Sequence, residues 1–251
     1  MLWKINICIT PGGERLMKWK WDENSILSKY TQYTPCKNIF QAVCNEIGRY
    51  YEEKGFTYSK SSPKITFKNK FIKLEIGLWS SSYNTPGKDV LLEIIPSFFS
   101  LGLAQKDKES GVKSKGYLFG YPEIFVYSAP DKKPGTVVVK QILNETIERF
   151  EEWNSEAILK IGHVCNIYGI TEDDFIKIVN FIDNEIMKYI EVFEDAKMLE
   201  QFIISADFKR ISYFKKSRLK EYIEITFLDE KERLINILEN KINCLIQHEN
   251  A

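Results

Sequence analysis

A chain of 251 residues that is 44% hydrophobic and 28% charged can bury the core of one or two domains, and it is too apolar to stay disordered. Basic and acidic side chains balance at 35 each, which removes the simplest argument for a nucleic-acid binder. No apolar run approaches the ~20 residues of a membrane span, and the N-terminal MLWKINICITPGGER lacks a signal-peptide cleavage site, so the expectation is a cytoplasmic protein without a membrane partner.

In chain order, residues 3–9 read as a strand that Pro11-Gly12-Gly13 turns back toward Arg15–Trp21, an N-terminal hairpin. Trp3, Trp19 and Trp21 either cover an edge of the core or form a contact surface. From Lys37 to Lys54 the positions Ile39, Phe40, Val43, Ile47, Tyr50 and Tyr51 follow helical spacing, with Gly55 placed for a left-handed C-terminal cap. From Gly55 to Leu103 the period drops to two. Ile72, Leu74, Ile76 and Leu78 form one face there, against Phe71, Lys73, Glu75, Gly77 and Trp79 on the other. Lys68-Asn69-Lys70 reads as a tight hairpin turn, and residues 80–88 as a Ser/Asn/Pro/Gly loop. The helix should lie on the apolar face of this sheet, because neither can bury its hydrophobic side alone.

Between Gln105 and Gly120 the chain turns polar, which predicts a mobile excursion; Tyr121–Ser128 offers another strand and Ala129–Gly135 a linker. The expected organisation is therefore an α+β sheet domain over 1–135 with a helical C-terminal region over 136–251 packed on it. Charge divides at the same place. Up to Gly135 there are 20 Lys plus Arg against 13 acids, and beyond it 15 against 22, giving +7 and −7.

In the second part, Ile142, Leu143, Ile147, Phe150 and Trp153 suggest a helix over Val139–Ala157, with Glu145, Glu148, Glu151, Glu152 and Glu156 around it. Thr171 with Asp174 is a capping-box variant opening a helix whose buried face is Phe175, Ile178, Val179, Ile182, Ile186 and Ile190. Met198, Leu199, Phe202 and Ile203 suggest a short helix. The last helix, from Asp229, carries Leu234, Ile235, Leu238, Ile242, Leu245 and Ile246.

Chemistry is sparse. Cys8, Cys36, Cys44, Cys165 and Cys244 lie far apart and odd in number, which predicts reduced thiols rather than disulfides or a zinc ribbon. Only His163 and His248 are present, and His163 with Cys165 reads as a packed histidine before it reads as a catalytic pair. Hydrolase, P-loop and metalloprotease motifs are absent, so neither a catalytic residue nor a cofactor or metal site is expected. A metal-dependent nuclease using Glu75, Asp89 and Glu93 stands as the alternative, although none of these acids is followed by a lysine two residues on. Lys209, Arg210, Lys215, Lys216, Arg218 and Lys220, interleaved with Tyr213 and Phe214, suit a single strand of nucleic acid or a solvated helix end.

The order Lys54-Gly55-Phe56, YSKSSPKITFKNKFIKLEIGLWSSSYNTPG, KDVLLEII and then NEIMKYIEVFEDAKMLEQFI resembles a loosely defined set of bacterial domains of unassigned function. These are built on a helix and an antiparallel sheet with a helical extension, and are often found beside polymorphic toxins. The resemblance spans residues 37–250 and implies a non-enzymatic binding protein, most concretely a toxin-neutralising immunity protein; it carries over no active-site residue. Two surfaces suit a protein partner. One is the polar sheet face with Lys73, Glu75, Trp79 and Tyr83; the other is the acidic helix with Glu148, Glu151, Glu152 and Glu156.

Overall fold

The structure is a computed structural model that describes residues 18–121, 123–129, 131–144, 146–152, 158–206 and 213–249. The expected N-terminal hairpin, Cys8, Trp3, Trp153, Glu156, Lys209 and Arg210 lie outside them, as does the side chain of His248.

Helix α1 (Cys36–Glu52) buries Ile39, Val43, Ile47, Tyr50 and Tyr51, the face its spacing predicts, with Phe40 half-buried at its margin. Past its end Gly55 takes a left-handed backbone (φ 83°) and Phe56 N donates back to Tyr51 O at 3.0 Å. Strands β1 (Thr57–Ser59), β2 (Lys64–Lys68), β3 (Ile72–Trp79) and β4 (Leu91–Ser100) then form an antiparallel meander. The β2–β3 turn closes on Asn69, whose Oδ1 accepts from Phe71 N (2.8 Å) and Ile72 N (2.9 Å).

The far edge of β4 is shared. β10 (Val164–Asn166) pairs with Leu91–Glu93, and β5 (Tyr117–Gly120) pairs with Ser97–Phe99. Pro96 occupies the gap between them, where a missing N–H breaks no ladder bond. Ile94 N, on the same side of the strand, donates to His163 O at 2.8 Å, and Pro96 O accepts from Tyr121 N at 3.2 Å.

The inner face of this sheet, with Leu74, Ile76, Leu92, Ile94 and Phe98 fully buried, is covered by α1 and by a helical run from the second half of the chain. That run is α3 (Glu172–Phe181), a π-helical segment (Ile182–Met187) and α4 (Lys188–Glu194). The Thr171–Asp174 capping box forms as its spacing predicts. Phe175, Ile178, Val179, Ile182 and Ile186 are buried, with Ile190 half-buried. Asp183, in the π segment, accepts from Tyr50 Oη (3.0 Å), Tyr51 Oη (2.8 Å) and Lys54 Nζ (2.7 Å) and so ties this run to α1. Trp19 is buried and stacks on Phe175 at 4.9 Å, its Nε1 donating to the buried Glu46 at 3.2 Å, so this tryptophan covers the core.

Three local expectations are corrected. The polar stretch after β4 opens with a helix, α2 (Leu101–Glu109), capped by the Ser100 hydroxyl. Tyr121–Ser128 supplies a 3-10 turn (Glu123–Phe125) before strand β6 (Val126–Ser128). Among the described residues of Val139–Ala157 the expected helix does not form. Strands β7 (Thr136–Lys140), β8 (Ile147–Phe150) and β9 (Ile158–Ile161) replace it, making a second sheet in the order β6-β9-β7-β8 with β7 and β9 parallel. The β-branched run Thr136-Val137-Val138-Val139 favours extended backbone, and the apolar spacing is divided between Ile142 and Leu143 in the connection and Ile147 and Phe150 in β8. The remaining described elements are the helices α5 (Ala196–Ser205), α6 (Tyr213–Thr226) and α7 (Lys231–Glu249). One core cluster runs from Trp19 to Leu238 across residue 135, and the part expected to be helical from 136 on begins with four strands, of which β10 completes the first sheet and β7, β8 and β9 join β6 in the second.

Candidate functional site on the outer sheet face

Side chains alternate across a strand, so burying Ile72, Leu74, Ile76 and Leu78 forces Lys73, Glu75, Gly77 and Trp79 outward. Register adds the neighbours. Glu75 faces Thr66 and Ser97, Gly77 faces Lys64 and Ile95, and Trp79 faces Glu93. At the centre, Glu75 pairs with Lys73 (2.5 Å) and Lys64 (3.2 Å). Partial burial opposes ionisation of Glu75, but the two ammonium groups outweigh it and hold the carboxyl below its usual range.

One corner of this face is aromatic. Trp79 is 52% exposed, and Tyr83, in the following loop, is 90% exposed. The loop is not slack. Ser80 Oγ donates to Leu91 O (2.7 Å), Asn84 Nδ2 donates to Ser80 Oγ (2.8 Å), and Asn84 Oδ1 accepts from Leu91 N (2.9 Å). Both rings are thus presented from a fixed backbone.

Beside Trp79, Glu93 Oε1 lies 3.1 Å from His163 Nε2. The His163 ring stacks on Phe125 (5.4 Å) and meets the edge of Tyr121 (4.5 Å). Burial lowers its pKa, and the attraction of Glu93 only partly offsets that. Cys165 does not join it as a reactive pair. Its side chain belongs to the buried layer, and burial pushes the thiol up to about 12, the opposite of what a nucleophile needs.

The strand carboxylates do not converge. Glu75 lies opposite Ser97 and Glu93 opposite Trp79, four residues apart along β4, or about 13 Å at ~3.3 Å per residue. Asp89 sits before β4 in an isolated bridge with Thr85. Among the described residues no group of three or more His, Cys, Asp or Glu is placed to hold a metal ion. No described helix is long and apolar enough to cross a membrane.

The second expected surface is absent as a helix. Glu148 lies on edge strand β8 and pairs with Lys132 (2.8 Å), Glu151 pairs with Arg149 (2.6 Å), and Glu152 follows in a turn. The acids therefore scatter around a strand end and form no acidic stripe. The basic tract is engaged within the fold as well: Lys215 with Glu123, Arg218 with Asp107 (2.7 Å) and Glu221 (2.6 Å), and Lys220 with Glu239 (2.5 Å). The four described cysteines are free thiols.

Lys64 and the contact of Glu93 with His163 are members of the site that local pattern missed. Lys64 was legible in principle, since closing the hairpin at Asn69 places it opposite Gly77. The histidine contact had no local signal. Comparison of the chain with protein-family models, with curated proteins and with solved structures finds no match.

Proposed function

We propose that this protein is a non-enzymatic interaction module that binds a protein partner through the outer face of its six-stranded sheet. The observation that carries the reading is the Trp79–Tyr83 corner. Two exposed aromatic rings stand on a hydrogen-bonded backbone at the end of β3, with Glu93 opposite Trp79 and the Lys64–Glu75–Lys73 cluster centred farther along the same strand. Large aromatics ringed by polar groups are the composition of interface hot spots, and a fixed loop reduces the ordering cost of association. Charge pairs there add orientation and encounter rate more than affinity. The separated strand carboxylates, and the internal pairing of Lys215, Arg218 and Lys220, give a metal-dependent nuclease no comparable support. In its most concrete form the module is a toxin-neutralising immunity protein, the role that the resemblance of residues 37–250 implies.

A photo-crosslinking residue placed at Trp79, with a second protein carrying it at Ile147 on β8, tests the surface. The expected result is one crosslinked partner from position 79 and none from 147. Co-expression then tests the finer role: a partner that arrests growth alone should be silenced by the wild-type chain and not by Trp79→Ala. Crosslinking from 147 but not 79 would move the interface elsewhere.

A further inference from the structure

A second binding feature lies at α2, apart from the sheet face. The nine residues of this helix span about 13 Å at ~1.5 Å each. Beyond it the chain turns at Gly111, where Val112 N donates to Asp107 O (2.8 Å), and it runs back to the helix start, where Ser100 N donates to Gly116 O (2.8 Å). Gly116 permits that return. Its φ is 70°, and a Cβ there would stand 2.3 Å from Ser100 O and 2.6 Å from Ala104 N. Between helix and returning segment is an open cleft of 820 Å³.

The cleft has charge of one sign. Lys108, Lys113 and Lys115 line it and no acidic residue does. Two acids stand at its rim: Asp107 accepts two bonds from Arg218 (3.0 and 2.7 Å) and meets the lining residue Ser114, and Glu109 accepts from the lining residue Gln105 (2.7 Å); Glu221 meets Arg218 (2.6 Å) and Lys106 (3.4 Å). Among the described residues, none of the three lysines enters an ion pair. Beneath them the lining is apolar, with Leu101 and Ala104 half-buried and Val112 54% exposed.

We propose that this cleft binds a short, extended acidic peptide segment of a partner protein. Its carboxylates sit among Lys108, Lys113 and Lys115, and an aliphatic side chain rests on Leu101, Ala104 and Val112. A length of about 13 Å takes roughly four extended residues at ~3.3 Å each. The apolar floor matches a peptide side chain, whereas a single-stranded nucleic acid would find no aromatic ring in the lining to stack on. The site is independent of the Trp79 surface.

Fluorescence anisotropy on the full chain tests it, with labelled Glu-Leu-Glu-Glu-Leu-Glu as probe, its Gln-for-Glu counterpart and labelled hexauridylate as comparators. Saturable binding of the acidic peptide is expected, weakening about tenfold between about 50 and about 300 mM salt as screening predicts. The triple variant Lys108→Glu, Lys113→Glu, Lys115→Glu should lose at least about tenfold, since like charges then oppose the probe. Val112→Asp should weaken binding too, while all these variants, exposed in the free protein, keep the wild-type melting temperature. No saturable binding of the acidic peptide, equal binding by the triple variant, or tighter binding of hexauridylate would each overturn the proposal.

Discussion

The two faces of the six-stranded sheet are made by the same strands and do opposite things. Inward, Leu74, Ile76, Leu92 and Ile94 are fully buried under helices drawn from both halves of the chain. Outward, β3 sets Lys73, Glu75 and Gly77 partly exposed and Trp79 exposed at the corner, while β4 adds Glu93, Ile95 and the buried Phe99. The period of two assigns the layers, and the placement of α1, α3 and α4 decides which of them is the inner one. Stability should therefore concentrate on the inner face and partner binding on the outer one, and substitutions that separate the two properties sharpen that contrast.

The largest expected effect is on the inner face. Ile76→Ala should cost about 3 kcal/mol, the usual range for emptying a buried aliphatic site, read as a fall in the denaturant midpoint. Next is the clamp that fastens the covering helices. Asp183→Ala removes the acceptor shared by Tyr50, Tyr51 and Lys54 and should cost about 2 kcal/mol by chemical denaturation. If either change left stability untouched, the inner face would not be the structural one.

Smaller effects belong to the titrating groups. His163 has a folded pKa below its ordinary value because burial disfavours its charged form, so the unfolded chain binds the proton more readily. Its contribution is fully present above the unfolded pKa of ~6.5. It is lost as pH falls from there through the folded value, and His163→Gln should flatten that limb of the stability curve. Glu75 acts at lower pH. Its lowered pKa makes the Lys64–Glu75–Lys73 cluster worth most above the ordinary glutamate pKa of ~4.3, with loss as pH drops through the folded value. At neutral pH Glu75→Gln should cost under about 1 kcal/mol, because both lysine partners reach solvent and screening weakens such pairs.

Much of this contrast was readable in the chain. The alternation over 72–79, the helix over 36–52, the Asn69 turn and the Thr171–Asp174 cap are local signals, and each sits where its pattern predicts. What escaped depends on partners far along the chain. The exposed strand β8 makes sense only beside β7, whose parallel neighbour β9 follows it, and its apolar spacing by itself imitates a helix. β10 joins β4 across more than 70 residues, and with it come His163 and its contact to Glu93. Arg218, one member of the basic tract, is buried where α6 meets Asp107 on α2, a pairing across more than 100 residues.

The smallest change in stability should accompany the largest change in binding. Trp79→Ala with Tyr83→Ala, both exposed, should shift stability by no more than about 0.5 kcal/mol. Measuring the melting temperature and partner affinity of this double variant together tests the division most directly. The expected result is an unchanged melt with partner binding lost; a wild-type affinity, or a melt lowered as far as that of Ile76→Ala, would overturn the division between the two faces.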